Sequence, residues 1–232
     1  DWICKNRKGL TFCDATSAIF TQELVWEKLD VTTFSWQKAM GGEGGHGVII
    51  LSPRAIKRLE NFVPHRPIPK LFRLVTERGV NAGIFEGITI NTPSMLCVAD
   101  ALDSLLWIKK LGGWRATHQR SLDNFRVVSD WYNDRNWITN LVEEKEIQSN
   151  SSVCLKIMDT YFSSLNDIEK WKFIDEMTFL LDQHNAALDI KGHRDAPPSL
   201  RIWCGPTVEP EDLQALLPWL DWVFYHVKAT RL

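Results

Sequence analysis

Three short apolar runs rich in β-branched residues, Leu10-Thr11-Phe12-Cys13, Val31-Thr32-Thr33-Phe34-Ser35 and Val48-Ile49-Ile50-Leu51, lie close together near the start of the chain. Bounded by polar or glycine-rich segments, such runs read as buried strands. The segment 22–29 between the first two predicts a helix, and strand, helix, strand in that order implies part of a parallel sheet. An α/β architecture follows, because a parallel sheet needs helices to cover it.

The rest of the chain continues the alternation. Ser52-Pro53-Arg54 opens a predicted helix over 55–62, with serine as cap and proline in the first turn. An irregular stretch over 63–90 carries Pro64, Pro67, Pro69, Gly79, Gly83 and Gly87; loops this long are usually functional or cover something. A helical pattern over 94–110 presents Leu96, Leu102, Leu105, Leu106 and Ile108 as an apolar stripe and ends at Gly112-Gly113. Helices are then expected over 114–133, 168–183 and 210–228, and strands over 153–157, 188–190 and 200–204. The chain thus reads as two domains, residues 1–112 with a large sheet and a connecting helix, and residues 113–232 as a smaller α/β unit.

Composition narrows the classes of function. With 44% hydrophobic and 24% charged residues the chain is an ordinary globular one, although its 11 tryptophans are many for 232 residues. A formal net charge of −2 provides no basic field for nucleic acid or an anionic membrane, so neither is expected as a partner. Five scattered cysteines, with no Cys-x-x-Cys pair and no histidine at metal-ligand spacing, point to a reducing compartment and no metal site. Without an apolar run of ~18 residues or the regions of a signal peptide, a cytoplasmic location is expected.

Two residues at predicted strand ends carry the chemistry. Asp14 follows the first run, and Lys38 follows the second, just before Gly41-Gly42-Glu43-Gly44-Gly45-His46-Gly47. A carboxylate and an amine on neighbouring strand ends are what a pyridoxal phosphate site requires, one for the pyridinium nitrogen and the other for a Schiff base. Each residue alone also has an ordinary reading, Lys38 as a surface lysine and Asp14 as a turn or cap residue. The glycine run offers backbone N–H groups to an anion but has neither nucleotide-binding spacing. Asn91-Thr92-Pro93 ahead of a helix reads as a phosphate site or as a routine helix cap. In 192–201, His193, Arg194 and Arg201 surround a proline-stiffened loop; guanidinium groups suit a doubly anionic substrate, while a solvated loop with an Arg194–Asp195 ion pair is the plainer alternative. Trp36 and His65, His118, His184 and His226 read as structural.

Taken in order, Asp14-Ala15-Thr16-Ser17-Ala18, Thr33-Phe34-Ser35-Trp36-Gln37-Lys38, Leu51-Ser52-Pro53-Arg54-Ala55, Gly83-Ile84-Phe85-Glu86-Gly87, Ile90-Asn91-Thr92-Pro93-Ser94-Met95 and Gly192-His193-Arg194 through Leu200-Arg201-Ile202-Trp203-Cys204-Gly205 closely resemble the phosphoserine aminotransferase family. The resemblance runs from end to end. It implies the three-layer fold type I of pyridoxal phosphate transferases, with the C-terminal part of the large parallel-sheet domain followed by a small α/β domain. It also implies a homodimer with shared active sites that transfers an amino group between glutamate and 3-phosphohydroxypyruvate, giving phosphoserine and a 2-oxo acid in serine and pyridoxine biosynthesis.

By the same resemblance Lys38 is the Schiff-base lysine and proton shuttle, Asp14 pairs with the pyridinium nitrogen, and Gln37 helps hold the cofactor phosphate. Asn91 and Thr92 would reach the cofactor phosphate of the partner subunit. His193 and Arg194 would take the substrate phosphate, and Arg201 its α-carboxylate. Members of the family carry a long portion ahead of the stretch that begins at Asp1, with a phosphate-binding loop and a ring-stacking aromatic residue, so the chain is expected to be part of a longer polypeptide. Two alternatives stay open: a related enzyme with a non-phosphorylated substrate, since fold does not fix substrate, and a non-catalytic dimerisation module.

Overall fold

The structure is a computed structural model that describes residues 2–77 and 79–232. The chain divides into two compact units, one built from residues 1–19 and 23–110 and the other from 20–22 and 111–232.

The first unit begins with a short helix, α1 (Trp2–Asn6), and a sheet of β1 (Phe12–Asp14), β2 (Val31–Ser35) and β3 (Gly47–Leu51) in that order. β1 runs parallel to β2, with Phe12 opposite Val31 and Asp14 opposite Thr33. β3 is antiparallel to β2, with Val31 opposite Leu51 and Ser35 opposite Gly47, a reversal that the uniform apolar runs do not disclose. A parallel return needs a crossover of about a dozen residues, usually a helix, whereas residues 36–46 form glycine-rich turns with Gly41 at φ 69°. Gly47 itself lies tight against β2, since a Cβ there would sit 2.7 Å from the Phe34 carbonyl oxygen.

One buried carboxylate joins these strands. Asp30 is 3% exposed; it accepts the Thr11 N–H at 2.8 Å and the Ser52 hydroxyl at 3.1 Å, and it pairs with Arg7 at 3.2 Å and Arg54 at 3.7 Å. Ser52 in turn caps α2 (Pro53–Asn61) by accepting the Ala55 N–H, as its sequence signature predicts. The helix expected over 22–29 is reduced to a single 3₁₀ turn, Trp26–Lys28. With eight residues and no side-chain cap, the segment does not offset the cost of nucleating a helix, although most of its residues are good helix formers.

The irregular stretch that follows contains a small hairpin, β4 (Val75–Thr76) with β5 (Gly79–Val80), between two 3₁₀ turns. α3 (Met95–Leu111) appears where predicted, but its stripe is not core. Ala101 and Ile108, seven residues apart on one face, are buried, while Leu96, Leu102, Leu105 and Leu106 are exposed.

The second unit comprises α4 (Trp114–Asn133), β6 (Ile138–Asn140), β7 (Ser152–Ile157), α5 (Thr160–Ser164), α6 (Asp167–Gln183), β8 (Leu200–Trp203) and α7 (Pro210–Arg231). The sheet order is β6-β7-β8, antiparallel throughout. Along β7 the residues Val153, Leu155 and Ile157 alternate inward, giving the sheet one buried face. Against that face a core forms with Val128, Phe173, Ile174, Met177, Leu181 and Phe224 from the helices; Trp137 stacks on Phe224 with centroids 4.1 Å apart. Asn166 and Glu169 close a reciprocal capping box at the start of α6.

Residues 188–190, expected as a strand, do not form one; only Lys191 makes a bridge, to Leu200. Asp189 there has φ 53°, which no strand accommodates. β6 and α5 were not foreseen, each being too short to show periodicity.

Asp221 on α7 accepts the indole N–H groups of both Trp131 and Trp137 at 3.0 Å and pairs with Arg135 at 3.1 Å. Replacing it with leucine strands two indole donors on tryptophans that are 6% and 1% exposed. Asp221→Leu should therefore destabilise this unit by ~3 kcal/mol, measured by urea unfolding.

Candidate active site

β1 delivers Asp14 at its last residue, and the chain turns at once. The Asp14 carboxylate accepts the Thr16 hydroxyl at 2.6 Å and the Thr16 N–H at 3.0 Å. These two bonds, the hydroxyl first, hold the Asp14 carboxyl below its ordinary range although the side chain is exposed. The Thr16 hydroxyl also accepts the Ser35 N–H at 3.4 Å, and the Ala15 N–H donates to Thr33 at 2.7 Å, so the turn after β1 is fastened to β2. Thr16 was not singled out from sequence; its place two residues after an aspartate is the local turn signature that could have found it. Beside it, burial and the Asp14 carboxylate together push the Cys13 thiol up.

β2 ends at Ser35, and Lys38 lies in the turn that follows, half-buried and two residues past Trp36. The turn is closed by its own backbone: the Gly41 N–H donates to the Lys38 carbonyl at 3.0 Å and the Gly42 N–H to the Trp36 carbonyl at 2.9 Å. Those glycine amides are therefore engaged inside the loop rather than offered to an anion. Gln37 is exposed, and Gly44 lies against its side chain, where an added Cβ would come within 3.3 Å. Asp14 and Lys38 thus leave the same ends of two adjacent parallel strands, as their spacing predicts.

Asn91 and Thr92 lie exposed in the irregular segment ahead of α3. The Ser94 hydroxyl accepts the Cys97 N–H at 3.3 Å, so the capping contact that sequence offers to this segment is made by Ser94. The same segment meets the glycine loop, because the Ser94 N–H donates to His46 Nε2 at 2.8 Å. Asp14, Gln37, Lys38, Asn91 and Thr92 all belong to the first unit.

The second unit holds the remaining candidates. Residues 192–199 form a closed loop in which the Gly192 N–H donates to Ser199 at 2.8 Å; a Cβ at Gly192 would meet the Ser199 carbonyl oxygen at 2.7 Å, so only glycine fits. His193 and Arg194 sit on this loop and are exposed, at 61% and 88%, and both face Asp195, at 3.7 and 3.6 Å. Arg201 on β8 is 30% exposed and pairs with Asp189 at 3.6 Å. Cys154 lies opposite it on β7; burial pushes its thiol up and the Arg201 charge partly offsets this. Asp189 as the partner of Arg201 has no sequence signal, since the pair forms only when the turn before the loop folds back on β8.

The fold is that of the fold-type I aminotransferases. A phosphoserine aminotransferase structure from Cytophaga hutchinsonii superposes with a TM-score of 0.71 over 95% of this chain and 57% of its own, at 18% identity. An alanine–glyoxylate aminotransferase from Nostoc gives 0.72 over 96% and 55%, at 17% identity. By sequence the chain is a homologue of the phosphoserine aminotransferases: it is 51% identical to that of Methanosarcina barkeri and 48% identical to that of Methanosarcina mazei, each over 98% of its length. It spans 59% of the length of those two relatives. No family model matches the chain.

Because the Thr16 hydroxyl is the leading cause of the low Asp14 pKa, Thr16→Val should raise that pKa toward the ordinary carboxylate value while leaving the backbone bond in place. A carboxyl-carbon NMR titration measures this directly. With the native pKa depressed, the contribution of Asp14 to stability is present above its unfolded pKa and is lost as pH falls through the folded one; the variant should lose part of that acid-side dependence.

Proposed function

We propose that the chain is the cofactor-bearing and small-domain portion of a phosphoserine aminotransferase, moving an amino group between glutamate and 3-phosphohydroxypyruvate. The observation that carries this reading is the pairing of an ionised, hydrogen-bonded Asp14 with Lys38 on the ends of adjacent parallel strands. That donor set fits pyridoxal phosphate: a fixed anion for the ring nitrogen and an amine for its aldehyde. The similarity to relatives that bear the phosphoserine aminotransferase name supports the substrate assignment.

Pyridoxal phosphate supplies an electron sink for the electrons left when a proton leaves the substrate Cα. Asp14, an anion held in place by its hydrogen bonds from Thr16, holds a proton on the ring nitrogen. Lys38 provides the amine and moves the Cα proton as general base and acid. Gln37, Asn91 and Thr92 hold the cofactor phosphate, the last two in the site of a second copy, so the enzyme is a homodimer. Arg201 binds the α-carboxylate common to both substrates. Its ion pair with the exposed Asp189 is of the weak kind that a substrate carboxylate can replace. His193 and Arg194 take the substrate phosphate.

The cofactor-binding part corresponds to residues 1–112 and the small domain to 113–232. The resemblance to the family supports a cytoplasmic enzyme of serine and pyridoxine biosynthesis. Among the described residues no helix is long and apolar enough to cross a membrane. A second reading, a related aminotransferase with a non-phosphorylated substrate, draws on the contacts of His193 and Arg194 with Asp195 rather than with an open pocket.

Incubation with pyridoxal phosphate, borohydride reduction and peptide mass mapping should place the label on Lys38, and Lys38→Ala should abolish both labelling and transamination. Label elsewhere, or near-normal turnover without Lys38, would refute the assignment. Replacing His193 and Arg194 with alanine separates the two readings: a loss confined to phosphoserine supports the first, and indifference to the phosphate supports the second.

A further inference from the structure

His46 has no part in the chemistry above, yet it joins the two segments of the first unit that carry the cofactor ligands. Its Nε2 accepts the Ser94 N–H at 2.8 Å, across 48 positions of sequence. Its ring meets the edge of Trp36 with centroids 5.8 Å apart at 84°, and Trp36 lies two residues before Lys38. Around this contact the loop is drawn close to α3: Gly45 lies against Cys97 Sγ, where a Cβ would come to 3.6 Å, and Gly42 lies against Trp36 and Asp100.

The direction of the bond matters. Ser94 N–H is a donor with no choice of partner type, so Nε2 must present its lone pair and the ring proton must sit on Nδ1. Ser94 is also the residue that caps α3, two positions after Thr92. Fixing its N–H therefore fixes where the preceding residues leave the helix.

We propose that His46 is a positioning residue for cofactor-phosphate binding: through Ser94 it anchors Asn91 and Thr92 on the first unit, so that they are pre-set for the cofactor phosphate in the site of the second copy. This rests on the reading of Asn91 and Thr92 as phosphate ligands. Phosphate binding by backbone and short polar side chains depends on pre-set geometry, since a ligand pair that must first be ordered binds more weakly. His46 thus acts on the phosphate and not on the ring.

The test compares pyridoxal phosphate with pyridoxal, which lacks the phosphate, in absorbance titrations of the purified protein. His46→Phe keeps an aromatic edge against Trp36 but cannot accept the Ser94 N–H, while His46→Gln restores an acceptor near the Nε2 position. His46→Phe should weaken pyridoxal phosphate about fivefold, the loss expected for one hydrogen bond, with pyridoxal unchanged and His46→Gln within about twofold of the native protein. Hydrogen exchange at the Ser94 amide should rise in the Phe variant and stay slow in the Gln variant. Unchanged binding of pyridoxal phosphate by His46→Phe, or equal weakening of both compounds, overturns the proposal. An Asn91→Ala/Thr92→Val double variant distinguishes the two levels: if it loses pyridoxal phosphate selectively while His46→Phe does not, the role of His46 alone fails, and if it binds normally the phosphate assignment fails and takes the role of His46 with it.

Discussion

The arrangement of the first unit depends on Asp30. A carboxylate only 3% exposed is costly unless it is fully engaged, and this one gathers four groups from two stretches of chain: Arg7 and Thr11 between α1 and β1, and Ser52 and Arg54 at the start of α2. Two positive partners and two neutral donors satisfy it. Because Thr11 immediately precedes β1 and Asp30 immediately precedes β2, the same contact sets the two strands side by side. The parallel register that brings Asp14 and Lys38 to neighbouring strand ends follows from it.

The second unit is organised by a similar device in different chemistry. Asn124 on α4 is fully buried and gives its side-chain N–H groups to the carbonyls of Gly205 at 3.0 Å and Val208 at 2.9 Å. Asp221 on α7 does the converse, collecting two indole donors. Burying a polar group is costly unless it is paired; the Asn124 amide N–H groups and the Asp221 carboxylate are, whereas the buried Asn124 Oδ1 has no partner among the described residues. Here the two side chains lock the long helices to the chain on either side of the sheet, and β8 with Arg201 is held between them. The segment after β8 is further constrained at Gly205, where any Cβ would collide with the Trp203 ring. The candidate substrate arginine is thus on a rigid strand, whereas His193 and Arg194 are on an exposed loop.

Much of this was legible in the residues themselves. β2 has the predicted bounds, α2 carries the predicted serine cap, and α4 spans the predicted range, because a strong apolar period and a cap are local properties. Asp14 and Lys38 could be named because strand-end residues are marked by the run before them. The failures have equally local causes. Residues 22–29 have helix propensity but are too short and uncapped to form more than one 3₁₀ turn, residues 188–190 are interrupted by a left-handed aspartate, and the leucines of α3 form a pattern without saying what lies opposite. Glycines 41–47 suggested an anion cradle, but the amides of Gly41 and Gly42 close the turn instead.

By itself, then, the sequence determined most of the longer helices and strands, which carboxylate and amine follow the strand runs, and which family those residues resemble; the first two depend on neighbours within a few positions along the chain. Only the tertiary structure decided that β3 turns back antiparallel, that Arg201 faces Asp189, and that His46 reaches Ser94. These are pairings across long sequence separations or choices between equivalent hydrogen-bond partners. They are settled when burial forces every donor and acceptor to find a specific partner, a condition that no local pattern encodes.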